Sequence, residues 1–170
     1  MKVQRFYLDT SVFIAEFDKK GSDYKLLTTF LNVIKKANNV KLCSSKWALA
    51  EMYQKLTRDK IKELKVVKYI KEVLDLQKIR SIPIKILDVS SSKNYSFNEF
   101  FNDLGNDLKN YKKGSGPGIG DIIHVRIMKN NKIKHIITFD SDFENIHSFV
   151  TINPRKIKKE ELEKMKNAQN

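Results

Sequence analysis

The chain has 170 residues, a formal net charge of +13 and a hydrophobic share of 41%. That length supports one ordinary core rather than two domains, and the hydrophobic share excludes a disordered body. Its single cysteine, Cys43, excludes an intrachain disulfide and a cysteine-based zinc site.

Val3–Leu8 alternates apolar and polar residues and reads as a strand ending at Asp9. Thr10 and Ser11 then suit a helix start, where a hydroxyl or carboxylate accepts orphan backbone N–H groups. From Asp23 to about Ala37, Leu26, Leu27, Phe30, Leu31 and Ile34 share one helical face, and Asn38–Asn39 end that helix. Val40–Ser44 is a short strand that takes Cys43 into the core, and a helix runs from Ser45 through Trp47, Leu49, Ala50, Tyr53 and Leu56. Lys60–Ile79 is a further amphipathic helix. Ile82–Val89 is a third strand, with Pro83 near its start, where a missing N–H is best tolerated. A turn at Ser90–Ser92, a helix at Phe97–Tyr111 weakened at Gly105, a glycine-rich loop at Gly114–Gly120 and a helix at Ile122–Met128 follow. His135–Phe139 is a strand ending at Asp140, and Phe149–Ile152 is the last strand. Residues 1–154 are expected to form the domain and residues 155–170 a basic tail, helical or frayed.

Strands separated by helices imply parallel pairing through right-handed crossovers. The expected fold is a single α/β domain with a central, mostly parallel sheet of about five strands flanked by helices in three layers. Its ligand site is expected beyond the carboxyl ends of the strands. Apolar runs such as Ile136–Ile137 are far shorter than the ~20 residues of a membrane span. The start of the chain reaches Asp9 without a signal-peptide apolar stretch, so a cytoplasmic protein without membrane association is expected. A charge of +13 attracts polyanions, of which phosphate backbones are the commonest, although a general lysine bias gives the same excess.

Four acids widely separated in sequence fall at the same predicted edge. Asp9 and Asp140 close strands, Asp121 opens the helix behind the glycine-rich loop, and Glu51 lies two turns into a helix that follows a strand. Like charges in one cleft raise one another's pKa unless a cation neutralises them. A hard divalent ion, Mg²⁺ or Mn²⁺, is the natural partner of such oxygens. That ion can acidify a water and stabilise charge developing on phosphorus, while lysines and arginines hold the polyanion. A carboxylate not committed to the ion can orient or deprotonate the water. Singly, Asp9 and Asp121 suit helix caps, Glu51 a solvated helix acid and Asp140 a turn acid, so the combination carries the inference.

The runs Leu8-Asp9-Thr10-Ser11, Ser45 with Glu51 six residues on, Gly118-Ile119-Gly120-Asp121-Ile122-Ile123-His124 and Thr138-Phe139-Asp140-Ser141-Asp142-Phe143 resemble, in order, the four acidic motifs of PIN-domain nucleases. The resemblance implies Mg²⁺- or Mn²⁺-dependent endonucleolytic cleavage of RNA. It makes Asp9, Glu51, Asp121 and Asp140 the catalytic and metal-holding quartet. It also makes Asp142 a further acid, Thr10 or Ser11 a hydroxyl holding the first aspartate, and Thr138 a hydroxyl supporting the last. Many small members resemble the toxin half of toxin–antitoxin pairs, the VapC-like branch. The implied partners are therefore an RNA substrate, an antitoxin protein and a second copy of the chain.

Other features carry less. The glycine-rich loop lacks the Lys–Ser/Thr ending of a phosphate-binding loop and suits a mobile approach to Asp121. His124, one helical turn after Asp121, is expected to pack or to hydrogen-bond to that loop rather than touch substrate. Trp47, Tyr53 and Phe97 are expected on core stripes rather than stacked on bases, and Lys156–Lys159 on a solvated face. The competing functions are a PIN-like domain that binds RNA or protein without cutting, an RNA-processing nuclease that is not a toxin, and a phosphatase with Asp9 as nucleophile. For the last, Ser11 stands where a second acid is wanted.

Overall fold

In the computed structural model, which describes residues 3–37, 39–58, 63–90, 92, 94–111 and 117–157, strand β1 (Gln4–Leu8) leads into helices α1 (Thr10–Phe17) and α2 (Ser22–Ile34). Strand β2 (Val40–Ser45) leads into α3 (Lys46–Thr57) and α4 (Glu63–Leu76). A hairpin of β3 (Lys78–Ile79) and β4 (Ile82–Leu87) leads into α5 (Phe97–Tyr111) and α6 (Ile119–Asn130). Strand β5 (His135–Ile137), a 3₁₀ turn (Ser141–Asn145) and β6 (Val150–Ile152) complete the described elements.

The sheet order is β3-β4-β2-β1-β5-β6, and every neighbouring pair is parallel except the β3–β4 hairpin. The period-2 pattern of β1 sets the layers. Phe6 and Leu8 join the core under α1 to α4, with Leu27, Phe30, Leu49, Met52 and Ile84. Tyr7 points to the other face, with Cys43, Ile136 and the α6 residues Val125 and Met128. Each fully buried aliphatic side chain contributes about 1.5–3 kcal/mol.

From β1 the sheet grows in opposite directions, through β2 toward β4 and through β5 toward β6. In open α/β sheets the crevice at such a reversal is where ligands bind. The Asp9 N–H donates to Ile137 O at 3.1 Å, so the ends of β1 and β5 are joined where that crevice opens. Helix α6, which flanks it, is clamped to α5 by Asp107. This carboxylate is 1% exposed and pairs with Arg126 at 2.5 Å and Lys129 at 2.6 Å, while Arg126 also reaches Asp103 at 3.0 Å.

Several boundaries differ from the sequence-based expectations. The expected helix Lys60–Ile79 ends at Leu76. Gln77 takes φ 44°, the left-handed value that terminates helices, and Lys78–Ile79 turns back through Arg80 and Ser81, at φ 49° and 65°, to pair antiparallel with Ile82–Pro83. The sheet therefore gains a sixth, edge strand. β4 ends at Leu87 rather than Val89, β5 ends at Ile137 rather than Phe139, so that Asp140 stands three residues beyond its strand, and α6 starts at Ile119 rather than Ile122. Helix α5 runs unbroken through Gly105, where an added Cβ would meet nothing within 4 Å. Trp47 and Tyr53 pack against the cores as expected, but Phe97 is 74% exposed, beside Phe101. Asn38, residues 60–62 of the expected helix, Ser91 of the expected turn, the Gly114–Gly116 part of the loop, and residues 158–170, with Lys158–Lys159 of the basic run, lie outside the described residues. Among the described residues no helix is long and apolar enough to cross a membrane.

Candidate active site

Asp9 is the N-cap of α1, in extended backbone at φ −75° and ψ 166°. Its Oδ2 accepts the Ser11 N–H at 3.3 Å, the Ser11 hydroxyl at 2.7 Å and the Thr138 hydroxyl at 2.8 Å. Each hydroxyl in turn accepts a backbone N–H from the segment that follows β5: Phe139 N–H to Ser11 Oγ and Asp140 N–H to Thr138 Oγ1, both at 2.9 Å. One carboxylate oxygen is thus saturated by charge-assisted bonds and immobilised. Its Oδ1 lies 3.4 Å from His124 Nε2.

Glu51 reaches the same place from α3. That helix is set by Ser45, whose side chain caps it through the Ala48 N–H at 3.2 Å. Glu51 Oε2 accepts the Thr10 hydroxyl and lies 3.0 Å from His124 Nε2, while Oε1 pairs with Lys55 at 3.2 Å. Of the two candidate hydroxyls, Ser11 therefore holds Asp9 and Thr10 holds Glu51. Burial raises the Glu51 proton affinity, but the bonds from His124 and Thr10 outweigh it and hold the carboxyl at about 2.

His124 is wholly buried and links these acids to a hydroxyl pair behind them. Its Nδ1 lies 2.8 Å from the Tyr7 hydroxyl, which lies 2.6 Å from Ser45 Oγ. Burial keeps the Tyr7 phenol protonated, well above its ordinary range. The expectation that His124 packs or hydrogen-bonds is met in kind, but its partners are the acids and Tyr7 rather than the loop. The signal was its place three residues after Asp121, on the same helical face; nothing in the local sequence marked Tyr7 or Ser45 as its supports.

Asp121 sits in the first turn of α6, and its Oδ2 accepts the Gly118 N–H at 2.9 Å. Burial, reinforced by the charges of Asp140 and Asp9 and opposed by the Gly118 bond, pushes its carboxyl up to about 6. Asp140 caps the 3₁₀ turn by accepting the Asp142 N–H at 3.0 Å, and Asp142 itself is exposed and enters through its backbone. A groove of 540 Å³ lined by Ser11, Asp18, Asp23, Tyr24, Asp140 and Arg155 opens beside the acids. One donor atom from each of Asp9, Glu51 and His124 lies within 4.8 Å of the others. Two carboxylates and an imidazole on rigid supports fit a divalent ion.

A mostly parallel α/β sheet whose switch point brings Asp9 and Glu51 to His124 is suited to holding a divalent ion. The family model of the PIN domain matches residues 6–148, and the chain belongs to that family, which as a class consists of generally metal-dependent nucleases. Among solved structures, the chain is similar to VapC20 of Mycobacterium tuberculosis, a sarcin–ricin loop cleaving toxin, at 14% identity and TM-score 0.60 over 85% of this chain and 96% of that one. It is similar to VapBC-1 of nontypeable Haemophilus influenzae at 17% identity and TM-score 0.59, over 90% and 100% of the two chains. VapBC2 of Rickettsia felis, bound to a DNA fragment from its promoter, gives 18% identity and TM-score 0.57 over 88% and 98%. At these identities the likeness is one of fold. No curated protein matches the chain in sequence.

Proposed function

We propose that the chain is a metal-dependent endoribonuclease that hydrolyses RNA phosphodiester bonds, and that it acts as the toxin of a VapC-like toxin–antitoxin pair. The observation that carries the reading is Asp9, fixed at the switch point by the donors on one oxygen and turned with the other toward Glu51 and His124. Asp9, Glu51, Asp121 and Asp140 form the acidic site; Ser11 and Thr138 hold Asp9, and Thr10 holds Glu51. Asp142 contributes through its backbone to the placement of Asp140. When bound, Mg²⁺ or Mn²⁺ supplies charge neutralisation, polarisation of the phosphoryl oxygen and acidification of water. The Asp121 carboxyl, at about 6, suits a group that orients the attacking water and takes its proton at neutral pH. The +13 charge supplies the attraction for the RNA backbone.

The fold shared with a toxin named for cleaving the sarcin–ricin loop supports RNA as the substrate, and the fold shared with VapBC assemblies supports an antitoxin partner. A homodimer in the cytoplasm belongs to the same reading. The test is cleavage of a structured RNA with Mg²⁺ or Mn²⁺ by the Asp9→Asn and Asp121→Asn variants. Each is expected to lose about a hundredfold or more in rate while unfolding cooperatively. Wild-type rates in both variants would refute the assignment, and tight RNA binding without cleavage under any divalent ion would replace it with a binding role.

A further inference from the structure

The acids of the site leave unexplained why a histidine is buried among them with its ring held on every side. His124 Nε2 faces Glu51 Oε2 at 3.0 Å and Asp9 Oδ1 at 3.4 Å, with Thr10 Oγ1 at 3.2 Å. Its ring is packed against Tyr7 and Phe143, with centroids 5.6 and 6.2 Å away. For ligand bonds of about 2.1 Å, donor atoms around one ion are separated by about 3.0 Å at right angles and about 3.4 Å at tetrahedral angles. The nitrogen-to-oxygen spacings here are those of a shared coordination sphere.

We propose that His124 is a direct nitrogen ligand to the divalent ion held by Asp9 and Glu51, and that it biases the site toward transition-series ions over Mg²⁺. The inference rests on the metal-dependent reading of the site. A ligating imidazole needs its other ring N–H given to a partner that fixes tautomer and orientation. Tyr7 stands at Nδ1, and either atom of the Tyr7–Ser45 pair can be the donor. Without an ion, Ser45 donates to Tyr7, Tyr7 donates to Nδ1, and the Nε2–H goes to Glu51. With an ion, Nδ1–H donates to Tyr7, Tyr7 donates to Ser45, and the Nε2 lone pair is free. Rotation of the two hydroxyls redirects these bonds, while the ring loses its Nε2 proton to water and takes one up at Nδ1, so that it changes tautomer with no net change in protons. Imidazole nitrogen suits later first-row ions, whose affinities rise from Mn²⁺ through Co²⁺ to Ni²⁺, whereas Mg²⁺ prefers oxygen.

The experiment is pulsed EPR on the Mn²⁺-loaded protein, together with calorimetric titration of Mg²⁺ and Ni²⁺. A ¹⁴N coupling of imidazole type is expected, absent in His124→Gln and retained in His135→Gln and His147→Gln, these being the other histidines of the chain. Ni²⁺ is expected to bind about a hundredfold or more tighter than Mg²⁺, with that preference shrinking at least about tenfold in His124→Gln. Tyr7→Phe, which keeps the imidazole, should retain the coupling and weaken Ni²⁺ about tenfold. If His124→Gln does not fold, a coupling retained in both other histidine variants assigns the nitrogen to His124. Mn²⁺ bound without nitrogen coupling would overturn His124 as a ligand and leave the carboxylate nuclease intact. Failure of the folded protein to bind Mn²⁺, Mg²⁺ or Ni²⁺ would overturn the metal-dependent reading as well.

Discussion

Gly120→Ala separates stability from catalysis at one position. Gly120 is the second residue of α6, and a Cβ there would stand 2.9 Å from Glu51 Oε1, where ordinary contact begins at 3.4 Å. The carboxylate must therefore retreat by about 0.5 Å. It cannot retreat freely, because Oε2 is bonded to Thr10 and His124 and Oε1 to Lys55. Alanine is better than glycine in a helix by up to about 1 kcal/mol, which offsets the strain in Glu51. The expected result is a urea unfolding free energy within about 1 kcal/mol of wild type. Divalent-dependent RNA cleavage should fall about tenfold or more, since a 1 Å misplacement costs about a hundredfold. Gly105→Ala, in open space on α5, is the control and should leave cleavage unchanged. Wild-type cleavage and wild-type ion affinity in Gly120→Ala would refute the placement of Glu51 in the site.

Asp107→Ala should lower stability by about 2–4 kcal/mol, because it removes the shared carboxylate and leaves Lys129 with the Tyr111 ring and Arg126 with Asp103; thermal unfolding should fall by roughly 5–15 °C. Cys43 is 2% exposed and burial pushes its thiol up to about 12, so a thiol-exchange reagent at pH 8 should label it only as fast as the protein unfolds; immediate full labelling would contradict its burial. The raised Asp121 carboxyl favours the folded state below its unfolded pKa, and that contribution is lost as pH rises through about 6. In ion-free protein, Asp121→Asn should therefore melt higher than wild type at pH 7, a difference that vanishes near pH 4. A variant that melts equally at both would contradict the crowding of charge around Asp121.

Much of the fold is legible in the residues because its signals are local. The alternation in β1, the stripe of α2 and the Ser45 cap are satisfied within a few residues of themselves. The hairpin at Lys78–Pro83 was not legible, because its turn uses Arg80 and Ser81 at positive φ instead of glycine or asparagine. Ile79 continues the helical stripe, so periodicity alone extends α4 too far. Phe97 was misplaced for a related reason: its aromatic neighbours in sequence suggested a core stripe, yet only Phe100 of that group is turned inward.

The candidate site divides in the same way. By itself the sequence determined the strand-end position of Asp9 and the first-turn position of Asp121, since caps and strand ends are set by neighbouring residues, whereas Asp140 caps the 3₁₀ turn three residues beyond its strand. The tertiary structure decided what those acids meet: Ser11 rather than Thr10 on Asp9, Thr10 on Glu51, and Tyr7 and Ser45 behind His124. Apart from the local Ser11–Asp9 bond, those contacts and the Thr138–Asp9 bond join residues 38 to 129 positions apart in the chain. Their existence depends on the register of β1 between β2 and β5 and on the face that α6 presents. No local pattern encodes that register, because it is fixed by the packing of the whole sheet.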